Sequence, residues 1–158
     1  MPEIDPTDFR KVMGRIPTCV TVVTASTPTG PAGLVIGSFV SVSLEPPLVA
    51  FFVARTSRAW NAIQESAHLC INVLAEDQAG VCSGFMREPD ERFDGIDWHG
   101  TDDEAPQLAG TAATISIHVV SIQEAGDHDY VLGRVESMTD DSGQHPLVFH
   151  GGEFRTVR

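Results

Sequence analysis

Arg55-Thr56-Ser57-Arg58 sets two guanidinium groups and two hydroxyls in four consecutive residues, between the apolar run 48–54 and a segment of helical spacing. Ser57 suits the N-cap of that helix, and the free N–H groups and dipole of a helix start favour a phosphate. The four residues therefore read as an anion site, although they also suit an ordinary solvated turn. A second candidate is Gly37-Ser38, where a missing side chain bares main-chain N–H groups and a hydroxyl offers both donor and acceptor. A third is His128 within Gly126-Asp127-His128-Asp129, a turn histidine flanked by carboxylates. Consecutive residues on a strand point to opposite faces, so Asp127-His128-Asp129 is poorly arranged for a metal, and none is expected there.

These groups need elements to hold them. Residues 33–53, GLVIGSFVSVSLEPPLVAFFV, read as two apolar strands broken at Glu45-Pro46-Pro47. In the first of them Val35, Gly37, Phe39, Ser41 and Ser43 alternate with Ile36, Ser38, Val40, Val42 and Leu44, which gives two faces. One face can join a core while the other, lined by small residues, lets a flat or phosphorylated ligand approach the main chain; exposed Ser and Gly are also common on strands that bind nothing. Upstream, Asp8 is placed to cap a short helix through Phe9, Val12 and Met13, and the β-branched run 18–25 predicts a strand that pairs with 33–44 across Thr27-Pro28-Thr29-Gly30-Pro31.

Residues 48–54 are almost continuously apolar, as a central strand covered on both faces would be. The helix after Ser57 would turn Trp60, Ile63 and Ala67 inward, and 68–74 reads as another buried strand. A helix of about ten residues is expected from Asp77, with Val81 and Phe85 on one side and with Gly80 and Gly84 each weakening it by roughly 1 kcal/mol. Residues 88–104 carry eight carboxylates and read as a long solvated loop pinned by Phe93 and Trp98. Strands 111–123 and 130–138 should pair across Gly126-Asp127-His128, and a last hairpin should turn at Gly151-Gly152. At least seven short strands with two or three helices predict a mainly β chain, an antiparallel barrel with flanking helices.

The totals narrow the function. A chain of 158 residues with 42% hydrophobic content is expected to form one domain over 1–158. A net charge of −12 with a single lysine, Lys11, argues against nucleic acid. Apolar runs no longer than strands argue against a membrane span, and the start MPEIDPTDF lacks the layout of a signal peptide, so the cytoplasm is expected. Cys19, Cys70 and Cys82 form no CxxC pair and read as small buried hydrophobes. His68, His99, His118 and His145 show no ligand spacing and read as structural, and the absence of GxGxxG excludes a Rossmann site for a nicotinamide.

Taken in order, PTCVTVVTA, residues 33–53, RTSRAWNAIQES, INVL, the GF and RF pairs, APQL, GDH, GRV and PLVFHGGEF resemble the flavin reductase-like family along nearly the whole chain. Members of that family fold as an FMN-binding split β-barrel and typically pair as homodimers. The resemblance implies flavin contacts at Ile36, Gly37, Ser38, Ser41, Val42 and Ser43. It implies a phosphate or ribityl end near Arg55, Thr56, Ser57 and Arg58, with Phe85 and Arg87 at the edge of the site. Gly37 stands where many relatives have Asn. His128 matches the family's Gly-Asp-His motif, which implies a place beside the nicotinamide, where alignment for hydride transfer matters more than proton abstraction. The implied activity is reduction of FMN or FAD by NADH or NADPH, supplying reduced flavin to a partner monooxygenase. The alternative is a tight FMN carrier without nicotinamide turnover.

Overall fold

The structure, a computed structural model, describes residues 1–141 and 143–157. Helix α1 (Pro6–Met13) is capped by Asp5, whose carboxylate accepts from Thr7 N at 2.7 Å and Asp8 N at 3.2 Å, and not by Asp8 as expected. Pro6 explains the difference, because proline fits the first turn and leaves Asp5 as the last residue outside it. No residue of α1 is buried.

The strand expected over 18–25 is two strands, β1 (Thr18–Cys19) and β2 (Thr21–Thr27). Val20 between them donates to Leu147 O and accepts from Leu74 N, so the chain changes sheets there. β2 pairs with β3 (Gly30–Ile36) as the predicted hairpin, whose turn places Gly30 at φ 119°, the left-handed side that suits glycine. Residues 33–53 then make three strands in place of two, because β3 stops at Ile36 and a new strand, β4 (Val40–Ser43), follows Gly37-Ser38-Phe39. β4 pairs with β5 (Leu48–Ala54).

Ser57 caps helix α2 (Arg58–Ile63) by accepting from Trp60 N at 3.2 Å, and Ala59, Trp60 and Ile63 are its buried face. Ala67 lies beyond the helix and is exposed, contrary to the sequence reading. β6 (His68–Val73) follows, and then α3 (Ala79–Gly84), which begins at Gln78 and is shorter than expected from Asp77. Gly84 permits a close approach: a Cβ there would stand 3.1 Å from Arg87 Nη2 and 3.2 Å from Ile96 Cδ1.

The acidic loop contains a 3-10 turn (Pro89–Glu91) and β7 (Trp98–His99), which pairs with β8 (Gln107–Leu108). Phe93 pins it as predicted, its ring 5.1 Å from that of Phe85 and 5.9 Å from that of Trp98. β9 (Ala113–Ala125) and β10 (His128–Asp140) form the long hairpin, and β11 (Leu147–His150) with β12 (Glu153–Thr156) the last one.

Seven strands run β3-β2-β6-β9-β10-β5-β4, all antiparallel, while β1-β11-β12 form a separate small sheet. β5 is thus next to the sheet's end and not central, and its Phe52 is exposed. The large sheet curls until β3 lies against β5. No ladder joins β3 to β4; the closure is made by Ser38, whose Oγ donates to Phe52 O at 2.7 Å and accepts from Phe52 N at 2.9 Å.

The barrel interior is filled by Val23, Phe51, Trp60, Ile71, Ile117 and Val131 among others. A second cluster, including Val22, Leu74, Phe85 and Leu147, fills the layer between the barrel, α3 and the small sheet. β2 serves both, with Val22 in one and Val23 in the other, which is why its Thr21 and Thr24 hydroxyls are buried and bonded to carbonyls. Among the described residues no helix is long and apolar enough to cross a membrane.

Candidate active site

A cleft of about 510 Å³ opens where four elements end together. The end of β3 brings Ile36, Gly37 and Ser38; the end of β5 brings Phe52 and Ala54; the start of α2 brings Ser57; the first residue of β10 brings His128. The far wall is Phe85 and Met86, just after α3, with Arg92 from the acidic loop. Register explains part of this meeting. His128 stands opposite Ala54 in the β10–β5 ladder, and Arg55 N donates to Asp127 O at 3.1 Å, so the hairpin tip is tied to the turn that starts α2.

His128 is half-buried, and its Nδ1 lies 2.7 Å from Asp127 Oδ1. The hydrogen bond from His128, reinforced by the imidazole's charge, holds the Asp127 carboxyl below its ordinary value. Asp129, on the opposite face, is buried and accepts from Trp60 Nε1 at 2.8 Å, with Arg55 Nε 3.5 Å away. The motif therefore anchors inward through Asp129 and steers the ring through Asp127.

The remaining expected site residues divide. Ile36, Gly37, Ser38, Ser57, Phe85 and His128 line the cleft together. Arg55, Thr56, Arg58, Arg87, Ser41, Val42 and Ser43 are not among the residues lining it. Arg55 pairs with Glu124 at 2.6 Å and Arg58 with Glu88 at 2.5 Å, while Thr56 is exposed. Arg87 turns back into its own loop, donating to Gly84 O at 3.1 Å and Asp94 O at 2.9 Å. Ser41, Val42 and Ser43 lie on the edge strand β4.

Arg92, Met86, Phe52 and Thr18 line the cleft without having been singled out from sequence. Arg92 sat inside an acidic run that reads as solvated. In the fold it donates through Nη1 to Gly33 O at 2.9 Å and through Nε to Arg87 O at 3.0 Å, and burial lowers its pKa, opposed by Glu88. The RF pair, Arg92-Phe93, was the one signal that could have flagged it. The cysteines stay thiols at neutral pH: burial raises Cys19 and Cys82 and pushes Cys70 up to about 11.

This arrangement joins an apolar wall to a rim that carries Arg92, with the Ser38 and Ser57 hydroxyls engaged by Phe52 and Trp60 main chain, and it fits a flat ring system carrying an anionic tail. A family model described as "Flavin reductase like domain" matches residues 13–158. The chain belongs to the flavin reductase-like family. It is 41% identical over 152 residues to a flavin reductase of Pseudomonas putida, covering 96% of this chain and 89% of that protein. It is 40% identical over 154 residues to the flavin-dependent monooxygenase reductase subunit HsaB of Rhodococcus jostii, covering 98% and 79%. The NADH:FAD oxidoreductase SgcE6 of Streptomyces globisporus C-1027, solved also with NAD and FAD fragments, superposes with a TM-score of 0.90 at 33% identity, covering 100% and 98%. The fold is the split β-barrel expected for this family.

Proposed function

We infer that this family member is an NAD(P)H:flavin oxidoreductase, transferring hydride from a nicotinamide to a flavin. The observation that carries the reading is the convergence of Gly37-Ser38, the Ser57-capped start of α2 and His128 on one cleft. A bound flavin supplies an acceptor for a hydride and carries the electron pair away. The chain's own residues bind and align. The Gly37-Ser38 segment offers main chain to the ring edge, Phe85 and Met86 line the cleft with it, and Arg92 offers positive charge for the tail beside the Ser57-capped start of α2. His128, steered by Asp127, lines the same cleft and would align a nicotinamide against the ring.

The openness of the cleft to solvent suits a flavin that enters and leaves, as delivery to a separate flavin-dependent monooxygenase requires. The name of the HsaB relative, a reductase subunit, supports such a partner. A homodimer is supported by the edge strand β4 with Val40, Val42 and Leu44 exposed beside it. Three unpaired thiols suit the reducing cytoplasm. Mixing the purified protein with NADH and free FMN or FAD tests the activity: the flavin's visible absorbance should bleach faster than without enzyme, and an equal rate would overturn the reading.

A further inference from the structure

On the outer face of the large sheet, away from the cleft, His68 of β6, His118 of β9 and Glu136 of β10 bring one ligand atom each within 4.8 Å of one another. We propose that these three side chains form a binding site for a divalent first-row transition ion such as Zn²⁺. The sequence offers no motif for it, since its members are far apart in the chain; sheet order makes them neighbours, because β6, β9 and β10 are adjacent.

Pairing geometry explains the approach. Val119 N donates to Ala67 O at 2.8 Å, so the next register pair, His68 and His118, occupies a non-hydrogen-bonded position, where facing side chains come closest. Their rings are 5.1 Å apart at an angle of 61°. Glu136 is the extra residue of a bulge in β10: Val135 faces Ile117 and Ser137 already faces Ser116. Bulges re-aim side chains. Here the carboxylate reaches across β9 to hydrogen-bond His68 Nδ1 at 3.0 Å, so a bound ion would take the place of the proton between them.

Two imidazoles and a carboxylate suit Zn²⁺, Co²⁺ or Ni²⁺ more than Mg²⁺ or Ca²⁺. All three groups are exposed, so solvent can complete the coordination. Asp103 and Glu104 line a hollow of about 300 Å³ with His68 and Glu136, adding negative potential that draws cations in. Arg134, opposite His118 in the β9–β10 ladder, is the charge that opposes them. The ion would clip three neighbouring strands together. Glu136 is eight steps along β10 from His128, about 25 Å of strand, so the site stands apart from hydride transfer.

The test is a titration of the untagged, chelator-treated full chain with Co²⁺, read by visible absorbance, followed by competition with Zn²⁺. One Co²⁺ should bind per chain and be displaced by Zn²⁺. His118→Ala and Glu136→Gln should each weaken binding by at least about tenfold, while His99→Ala should not. Saturating Zn²⁺ should raise the thermal midpoint of the parent chain and not of His118→Ala, because only the native state presents the site. Flavin reduction by His118→Ala should match the parent. The proposal is overturned if the parent binds no Co²⁺ at tenfold molar excess. It is equally overturned if His118→Ala binds as tightly as the parent, which would put the ion on the carboxylates of the acidic loop.

Discussion

His128 is the residue on which the proposed chemistry turns, and its neighbours set what it can do. Asp127 holds the ring by a 2.7 Å hydrogen bond while the buried Asp129 fixes the strand start beneath it. His128→Ala should slow nicotinamide-dependent reduction by more than about tenfold, or roughly 1.4 kcal/mol, and leave flavin affinity nearly unchanged; stopped-flow kinetics beside a flavin titration separates the two. Asp127 carries a pH dependence of definite sign. Its folded pKa is depressed below the ordinary 3.8, so the contribution of this contact is fully present above the unfolded value and is lost as pH falls through the lower folded one. Carboxylate titration by NMR should place Asp127 below the ordinary aspartate value of 3.8, and His128→Ala should move it back up. Activity changes between pH 6 and 8 therefore do not originate at Asp127. At this scale the Ser57 cap was legible because a hydroxyl just before a helical run is a local signal, while the Ser38 hydroxyl, expected to face a ligand, is engaged by Phe52 main chain. Arg92 was not legible, since only the fold pulls it out of an acidic run and onto Gly33 O.

Elements impose their own constraints. Where β10 crosses β9, Gly133 has no room for a side chain: a Cβ there would overlap Ile117 Cδ1 and stand 3.1 Å from Ile117 Cβ. Gly133→Ala should destabilise the fold by about 1–3 kcal/mol, and adding Ile117→Val should recover part of that loss, a coupling that denaturant unfolding of the single and double variants measures. Ser38 performs the closure that a β3–β4 ladder would otherwise perform. Ser38→Ala leaves Phe52 N–H and C=O without their partner and should cost about 1 kcal/mol while loosening the Gly37 segment, so flavin affinity should fall with stability. A variant that loses stability and keeps full flavin affinity would show that the segment does not bind the ring. The strand at 33–44 was read as continuous because apolar and small residues alternate without interruption. After Ile36 the chain leaves the ladder and Ser38 binds Phe52 main chain, a contact that depends on where β5 lies.

The whole molecule has an unfinished surface. β4 ends the large sheet with unpaired main-chain groups, and Val40, Val42 and Leu44 are exposed on or just after it. Sedimentation at micromolar concentration should give about twice 17.0 kDa, and Val42→Glu, which sets a charge on the proposed interface, should shift the mass toward one chain. If Val42→Glu sediments like the parent, the two copies meet elsewhere. The cleft lies at the end of β5, the strand paired with β4, so a second copy seated on that edge would approach it, and flavin turnover should fall in step with dissociation.

Periodicity and turn chemistry were enough, without coordinates, to settle that the chain is mainly antiparallel β and where most strands and the Ser57 cap lie, because alternation, glycine turns and helix caps act over a few residues. Segment order along the chain was enough to place it in its family. Only the tertiary structure decided which strand is interior and which is edge, that Arg55 and Arg58 are occupied by Glu124 and Glu88, and that His68, His118 and Glu136 share one face. Those outcomes depend on sheet order, register and a bulge, and each of these is set by the packing of residues far apart in the chain, which no local pattern of side chains encodes.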